Sequence, residues 1–590
     1  MRPTAKMETG DMWKYVRKYL PFAVLAAMFM VCEVLMDLLQ PEIMGRIVDD
    51  GVLGVETGGV GDMGLIWKLG LRMIVLVLFG GLCGSLNNVF VHMTGQNVGN
   101  DIRKDAFRKI MSFSFPQMDG FGTGSLVTRV TNDITQVQNL VSQFIRGMIR
   151  TGMLMFGSIF FLFRLNTRFG TIVLCAFPLI VGCLAFCLSK ANPLFTRLQS
   201  QLDRLNSIMQ EDISGIRVIK ACIREGYEKM RFGKANGELV GTQLLVLTIL
   251  AFMNPVVNAL MYVVVAFILR MGANEVSSGA TTPGSIMAAI TYTTQLLNGI
   301  MGLTMLFQSI SRGFASWKRV DEILGTEPRI KDGPFDGSTN LHGQVEFRGV
   351  SFSYLGSDGM VLKNIDLTIN SGETVAIMGA TGCGKSSLVN LIPRFYDATE
   401  GEVLVDGVDV RQYNLKALRA KVSVALQKAE LFHQTISRNI AWGREDADDE
   451  AIERAAVVAQ ADGFVREKPD GYGTMVAQGG SSLSGGQRQR VSIARSVVKG
   501  SEILIFDDAT SALDLKTEAD LYEALKRTLP DCTKIIVAQR IASVRHADRI
   551  IVLEKGAIAA CGSHEELMEN CQVYRDIYDS QMGKEDHSGR

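Results

Sequence analysis

The sequence has no net charge and no cysteine spacing typical of a metal site. Its 590 residues include 61 basic and 61 acidic side chains, so the formal net charge is zero. This balance gives no indication of a nucleic-acid-binding protein. The 10 cysteines are scattered without a CxxC pair or a Cys/His pattern, and we expect them to be reduced or buried in lipid. No internal repeat or low-complexity tract is present.

Charged side chains are also scarce within long apolar runs that precede residue 312. Several runs exceed the ~20 residues that a helix needs to cross a ~30 Å hydrocarbon core. We therefore predict an α-helical membrane bundle of six transmembrane helices within residues 19–325, with spans at 19–39, 73–100, 151–163, 169–189, 239–269 and 276–311. Basic residues flank the first run, which continues as a span, so no cleavable signal peptide is expected.

The loops between these runs set their orientation. Segments 101–135 and 190–238 are rich in Lys and Arg, which favours the cytoplasmic side, whereas 271–283 has no basic residue and is expected outside. Residues 1–18 and everything after Arg312 are then expected in the cytoplasm.

Two features of the membrane half call for further structure. In the first cytoplasmic excursion we predict a break at 115–121 and a short helix from Gly124, and in the second a short helix near Gly215. Within the first span, Glu33 and Asp37 share one helix face. Because carboxylates that face lipid are costly, we expect them to line an aqueous cavity, to pair with a basic group or to lie above the lipid.

The composition changes after the last apolar run. Residues 326–343 are rich in Gly, Pro, Asp and Ser and are predicted to be a linker. Alternating apolar and β-branched residues follow, and we predict a soluble α/β domain over 344–580 with a disordered tail at 581–590.

A phosphate-binding loop lies near the start of this soluble domain. Two glycines with four residues between them precede Lys and Ser, between an apolar strand and the start of a helix. Backbone N–H groups of such a loop surround a phosphate, and the helix N-terminus adds partial positive charge. Lys385 is placed to reach the β and γ phosphates, and the Ser386 hydroxyl to ligate Mg²⁺. The predicted nucleotide-binding loop consists of Gly379, Ala380, Thr381, Gly382, Cys383, Gly384, Lys385, Ser386 and Ser387.

Two further motifs belong to the same chemistry. An apolar strand ends in Asp507 and Asp508; the first would hold Mg²⁺, and the second lies where a general base or water-positioning carboxylate would be. A second anion site opens a helix at Ser484, Gly485, Gly486 and Gln487. One nucleotide does not need two such sites, so we expect the second to serve a nucleotide held by another chain.

Together with Ser511-Ala512-Leu513-Asp514, these motifs resemble those of an ATP-binding-cassette (ABC) domain, and they occur in the same order. With six spans ahead of that domain, the chain resembles a half-transporter of the ABC exporter type over residues 15–577. The resemblance implies an ATP hydrolase coupled to transport, with ATP and Mg²⁺ as cofactors, working as a dimer in the cell membrane. Drug, lipid and peptide exporters share these motifs, so the expected cargo is a small molecule, drug, lipid or peptide.

The resemblance also implies roles for single residues. Tyr354 would stack on adenine, and Gln427 would touch Mg²⁺ and sense the membrane domain. Asp514 would act across the dimer seam, and the short helices near Phe121 and Gly215 would be coupling helices. The γ-phosphate of ATP bound to the partner would meet the signature residues Ser484, Gly485, Gly486 and Gln487.

Two positions depart from the family pattern. The catalytic Glu of the family is Asp508 here, one methylene shorter, and the switch histidine is Gln539, which cannot become cationic. The signature residues are intact. This asymmetry predicts a heterodimer of the multidrug exporter type, in which the chain's own site hydrolyses ATP weakly and its signature completes the partner's site. The alternatives are a homodimeric exporter and an importer built on the exporter fold.

Overall fold

The computed structural model describes residues 10–55, 59–357 and 359–582. Residues 1–9 of the predicted N-terminal segment and 583–590 of the predicted tail lie outside the described residues. The described chain divides into two units. One takes its residues from Met1–Met111 and Gly124–Thr326, and the other from Ser112–Thr123 and Glu327–Arg590.

Long helices dominate the N-terminal half. Those described up to residue 325 are α1 (Gly10–Lys18), α2 (Leu20–Arg46), α3 (Met63–Met111), α4 (Phe115–Phe121), α5 (Thr123–Thr128), α6 (Ile134–Leu165), α7 (Thr167–Ser214), α8 (Ile216–Ala221), α9 (Glu225–Ser277) and α10 (Pro283–Gly325). The π-helical stretches Ile47–Val52 and Arg129–Asp133 extend α2 and join α5 to α6. Helix α3 has 49 residues, a length of about 70 Å at ~1.5 Å per residue, so it is far longer than a membrane is thick.

Within the described residues, 5 helical stretches are long and apolar enough to cross a membrane. They are Leu20–Val52, Met63–Met111, Thr123–Leu165, Thr167–Ser214 and Glu225–Ser277. The last four each contain one whole predicted span, and Leu20–Val52 contains the first predicted span apart from Tyr19. The predicted helical membrane bundle is therefore confirmed as a class, and the count of six spans stays a prediction.

The sixth predicted span, 276–311, begins too early. Val276 belongs to the last turn of α9, and α10 starts at Pro283, where the Thr282 side chain accepts a hydrogen bond from the Ser285 backbone N–H. Helix α10 is 43 residues long, but Thr, Ser, Gly and Asn interrupt its apolar residues and lower its hydropathy. It packs against its neighbours through Tyr292, whose ring stacks on Phe161 at 5.5 Å.

The two acids of the first span pair with a base. Arg150 on α6 forms ion pairs with Glu33 at 2.5 Å and with Asp37 at 3.5 Å, both on α2. Of the predicted possibilities, the structure therefore has the pairing with a basic group.

The predicted break at 115–121 is wrong, because these residues form helix α4. Ser114 caps this helix and forms a reciprocal capping box with Gln117. Pro116 occupies the first turn, where a backbone N–H would have no acceptor within the helix, so its missing N–H costs no hydrogen bond. Helix α4 ends at Gly122, whose φ is +72°. The interruption of the chain after α4 is therefore the glycine that ends this helix.

The second unit contains two sheets. Their strands are β1 (Val345–Phe352), β2 (Leu362–Ile369), β3 (Thr374–Gly379), β4 (Glu400–Val405), β5 (Val408–Asp409), β6 (Val422–Ala425), β7 (Ile503–Asp507), β8 (Thr533–Val537), β9 (Arg549–Glu554) and β10 (Ala557–Gly562). An antiparallel sheet has the order β2-β1-β4-β5, and a second, largely parallel sheet has the order β10-β9-β3-β8-β7-β6. Strand β7 is buried along its whole length, as expected of a parallel strand covered on both faces.

Helices cover this second sheet. They are α11 (Lys385–Leu391), α12 (Leu415–Lys421), α13 (Ile436–Ala441), α14 (Asp449–Val458), α15 (Asp462–Arg466), α16 (Gly485–Val498), α17 (Leu515–Thr528), α18 (Ile541–Val544), α19 (His564–Asn570) and α20 (Gln572–Met582). Because β3, β8, β7 and β6 are parallel neighbours, their carboxyl ends meet at one edge of the sheet. The loops that leave this edge carry the phosphate-binding loop, Gln427, Asp508 and Gln539.

The segment predicted as a linker is held against the second unit. The Phe335 ring lies edge-on to Tyr413 at 4.9 Å, and the Gly333 N–H donates to the Tyr413 carbonyl at 2.9 Å. These contacts begin before β1, so the segment from Glu327 onward groups with the α/β fold.

Candidate functional site

The phosphate-binding loop connects β3 to α11. Gly379 ends β3 with φ +146°, and Gly384 caps α11 with φ +103°. A Cβ at Gly379 would collide with the Leu553 carbonyl oxygen, so both backbone conformation and space require glycine there. Lys385 Nζ donates to the carbonyls of Gly379 at 2.8 Å and Ala380 at 3.0 Å. The ammonium group is therefore held inside the loop that would surround phosphates.

A hydroxyl and a carboxylate lie side by side at the end of β7. Ser386 Oγ donates to Asp507 Oδ1 at 2.7 Å, and Asp507 is only 5% exposed. Burial raises the pKa of the Asp507 carboxyl group. Hard oxygen ligands of this kind suit Mg²⁺, and a divalent cation would compensate a carboxylate charge that burial disfavours. The residues present therefore fit a magnesium ion.

The next carboxylate is held by two amides. Gln427 Nε2 and Gln539 Nε2 each donate to Asp508 Oδ2 at 3.1 Å. Asp508 itself has a left-handed φ of +50°, uncommon for a residue other than glycine, and its N–H donates to the Val537 carbonyl at 3.0 Å. The three predicted residues Gln427, Asp508 and Gln539 thus form one hydrogen-bonded cluster, in which a single carboxylate oxygen accepts from two neutral donors.

Tyr354 borders the same cleft. Its hydroxyl lies 2.9 Å from Ser387 Oγ, and its ring meets Tyr396 edge-on at 5.2 Å. A cavity of about 370 Å³ adjoins it, lined by Tyr354, Val361, Thr381, Gly382, Gly384, Lys385, Ser386, Ser387, Gln427, Asp508, Val537 and Gln539. The structure therefore brings the phosphate-loop residues, the aromatic ring and the amide-held carboxylate to one cleft.

The signature residues form a different surface. Ser484 caps α16: its Oγ accepts from the Gln487 N–H at 3.3 Å, and its N–H donates to Gln487 Oε1 at 3.1 Å. Ser484 to Gln487 are not among the described residues that line the cleft. Asp514 caps the following helix α17, accepting from the Thr517 N–H at 2.9 Å. These residues are thus well formed but lie apart from the chain's own cleft.

Comparison with known proteins assigns the family. The ABC transporter transmembrane region model matches residues 23–300, and the ABC transporter model matches residues 362–511. The chain is 37% identical over 572 residues to the uncharacterized ABC transporter ATP-binding protein YfiB of Bacillus subtilis (strain 168), covering 97% of this chain and 98% of that protein. The chain belongs to the ABC transporter family.

Two further comparisons agree. The transporter is 35% identical over 522 residues to an ATP-dependent lipid A-core flippase of Syntrophus aciditrophicus (strain SB), covering 88% of this chain and 86% of that protein. It is 25% identical, with a TM-score of 0.79, to a bacterial Atm1-family ABC exporter with ATP bound, covering 97% of this chain and 99% of that one. This transporter is therefore an ATP-binding half-transporter that couples ATP hydrolysis to transport, with the architecture of an exporter that operates as a dimer in a membrane.

Sequence analysis of the transporter missed an aromatic cluster around Tyr396. The Tyr396 hydroxyl donates to Asp119 Oδ2 of α4 at 2.7 Å, and the ring of Phe115 of the same helix contacts the Phe395 ring in a tilted arrangement with centroids 4.5 Å apart. The pKa of Tyr396 is raised mainly by burial and, to a smaller extent, by the hydrogen bond to Asp119. Tyr396 thus lies between α4 and the Tyr354 ring at the cleft. The aromatic residues of an otherwise polar excursion were the available signal.

A second missed residue connects the signature helix to the loop after Asp508. Gln489 on α16 accepts from the Ala512 N–H at 2.8 Å and donates to Ser511 Oγ at 3.3 Å. From the other side, Arg540 donates to the Ser511 carbonyl at 3.0 Å. These hydrogen bonds connect α16, which begins with the signature residues, to the loop that follows Asp508.

Proposed function

We propose that this chain is one half of a heterodimeric ABC exporter, whose own ATP site retains ATP more than it hydrolyses it. The observation that carries the proposal is the cluster at Asp508, whose Oδ2 accepts from the amides of Gln427 and Gln539 at 3.1 Å each. These amides are neutral donors and neither can take up a proton to become cationic. The group in the position of a general base is thus both short and tethered.

The shorter side chain lowers the expected rate at this site. Asp places its carboxylate one C–C bond, about 1.5 Å, behind that of Glu. A misplacement of ~1 Å at a reacting centre can cost about 10²-fold. Binding is expected to be retained, because Lys385, Ser386 and Asp507 keep the phosphate and metal ligands in place.

The remaining residues of the cleft have binding roles. Lys385 would neutralise phosphate charge, and Tyr354, at the rim of the cleft, would stack on the adenine ring. Mg²⁺, when bound, would offset the negative charge of the phosphates; Ser386 and Asp507 would hold it, with Gln427 next to it. None of these residues departs from the family pattern, which supports retention of ATP.

The intact signature supports a heterodimer. Ser484 and Gln487 form a complete capping box, so this chain can offer a well-ordered helix N-terminus to ATP bound on a partner. A homodimer would contain two weak sites, and it remains the alternative, together with an importer built on the same fold.

The orientation of the transporter in the membrane is inferred from the charge of its loops. We assign the transporter to the cell membrane as a multi-pass protein with the N-terminal segment and the nucleotide-binding unit in the cytoplasm, because basic residues are concentrated in the cytoplasmic loops. The cargo class is a small molecule, drug, lipid or peptide, as the exporter fold supports. Uptake into inverted vesicles tests the direction, since export loads the lumen and import empties it.

ATPase activity of defined dimers tests the weak-site proposal. We expect the purified chain alone to hydrolyse ATP slowly, and its dimer with a candidate second half-transporter from a neighbouring gene to hydrolyse ATP fast. Replacing the partner's catalytic Glu by Gln should abolish most of that activity, whereas Asp508→Asn should leave most of it. A chain that alone hydrolyses ATP at the full rate, with transport lost in Asp508→Asn, would contradict the proposal and favour the homodimer.

A further inference from the structure

A polar cavity lies within the membrane unit, between α3, α6 and α10. Its volume is about 410 Å³, within the range of small-molecule sites, which is roughly 300–1,000 Å³. Its lining includes the cationic residues Arg146 and Arg312, the histidine His92, and the amides of Gln96 and Gln143. Among the described residues that line it, there is no Asp or Glu.

Within the described residues, no carboxylate forms an ion pair with the arginines of this cavity. Arg150, one turn further along α6, lies between the carboxylates of Glu33 and Asp37. Arg146 instead donates to the neutral amide oxygen of Asn88 at 2.6 Å. For Arg146 and Arg312 the part of the chain that the structure describes contains no carboxylate within ion-pair distance. One arginine of α6 is therefore compensated, and its neighbour in the cavity is not.

The positions of these residues relative to the predicted spans bear on their function. Arg146 lies shortly before the apolar run 151–163, Arg312 follows the run 276–311, and His92 lies within the run 73–100. His92 therefore lies within a predicted span, where an ionisable side chain is by default a candidate for a functional site, and the two arginines lie at the ends of spans, where basic residues are common. Arginine side chains hydrogen-bond phosphate and carboxylate groups in a bidentate manner, and the amides add neutral donors.

We propose that this cavity binds the anionic group of the transported molecule, a phosphate or carboxylate, through Arg146 and Arg312. That the anion belongs to the transported molecule rests on the proposed export function, whereas binding of an anion to this cavity does not depend on it. The anionic group could belong to the headgroup of an amphiphile or to a soluble anion, and both would meet the same donors. His92, Gln96 and Gln143 complete the donor set around it.

Binding without nucleotide tests this proposal. The full-length transporter, purified in a neutral detergent without ATP, is titrated with dodecyl phosphate, with inorganic phosphate and with the neutral dodecyl maltoside, and binding is followed by the intrinsic fluorescence and thermal stability of the protein. We expect dodecyl phosphate to bind more tightly than dodecyl maltoside. Arg146→Gln and Arg312→Gln should each weaken phosphate binding about 10-fold or more, because a charge-assisted hydrogen bond is lost.

Matched variants separate the site from general charge. Arg197→Gln removes an exposed arginine of α7 that is outside the cavity, and it should leave binding unchanged. Arg146→Lys and Arg312→Lys keep the charge and should retain much of the affinity even if the Gln variants fold poorly.

Every outcome bears on the proposal. Tighter binding of dodecyl phosphate than of inorganic phosphate, lost in the Gln variants, supports an amphiphile; equal binding of the two, also lost, supports a soluble anion. Binding that the Gln variants leave unchanged, or equal binding of the neutral detergent, overturns it. A transporter that shows this binding but hydrolyses ATP fast on its own would contradict only the weak-site proposal.

Discussion

Lengthening the short carboxylate should restore hydrolysis at this chain's own site. The perturbation is the double variant Asp508→Glu and Gln539→His, which returns the family's pair to the cleft. Asp508 Oδ2 is now held by Gln427 and Gln539 at 3.1 Å each. The added methylene of Asp508→Glu moves the carboxylate forward by about one C–C bond, ~1.5 Å. Gln539→His replaces one of the two amide donors by an imidazole.

The expected gain follows from that displacement. A ~1 Å misplacement costs about 10²-fold in rate, which equals about 2.7 kcal/mol of barrier. We therefore expect the double variant to hydrolyse ATP about 10²-fold faster at this site. Each single variant should gain less, because Asp508→Glu keeps the Gln539 amide and Gln539→His keeps the short acid.

The assay isolates one site. Single-turnover hydrolysis is measured in dimers whose partner has its catalytic Glu replaced by Gln, so that only this chain's site reports. Asp507→Glu is the matched control, since it adds the same methylene to the neighbouring acid that bonds Ser386 at 2.7 Å and should slow rather than speed hydrolysis. If the double variant stays at the wild-type rate while it still binds ATP, the argument from the short, tethered carboxylate is refuted.

Three further predictions concern the signature, the ion pairs of Lys421 and the aromatic cluster. Ser484→Ala should lower ATPase activity of the dimer well beyond Ser563→Ala, which loses an equivalent capping box elsewhere at a similar cost of ~1 kcal/mol; equal losses would mean that capping alone matters. Lys421→Met should destabilise the transporter by about 3 kcal/mol in thermal or denaturant unfolding, because it leaves the buried Asp406 carboxylate, 2.8 Å away, and the partly exposed Glu502 carboxylate, 2.9 Å away, without their cation, whereas the exposed Lys428→Met should change it by less than ~1 kcal/mol. Tyr396→Phe keeps the ring but loses the bond to α4 at 2.7 Å, so we expect fewer molecules transported per ATP; an unchanged ratio in a transport assay would show that this bond does not take part in coupling.

Local sequence was sufficient for the features that short stretches of chain encode. The phosphate-binding loop is one contiguous run between a strand and a helix, and its glycines adopt the positive φ values that such a loop needs. The apolar runs within α2, α3, α6, α7 and α9 were likewise visible, since hydropathy depends on neighbouring residues alone. Helix boundaries were harder to predict where polar and apolar residues are mixed. The last predicted span begins at residue 276, whereas α10 begins at Pro283.

The tertiary structure decided which distant residues meet. Gln427 and Gln539 are 81 and 31 positions from Asp508, and they converge on one oxygen because β6, β7 and β8 run in parallel to the same edge of the sheet. Helix α4 likewise depends on distant residues, since Phe395 and Tyr396, which contact it, lie about 280 positions further along the chain. The compensation of Arg150 but not Arg146 likewise depends on which helices pack together. Motifs are written in consecutive residues, but charge balance and hydrogen bonds depend on distances in space, and only the packed chain fixes those.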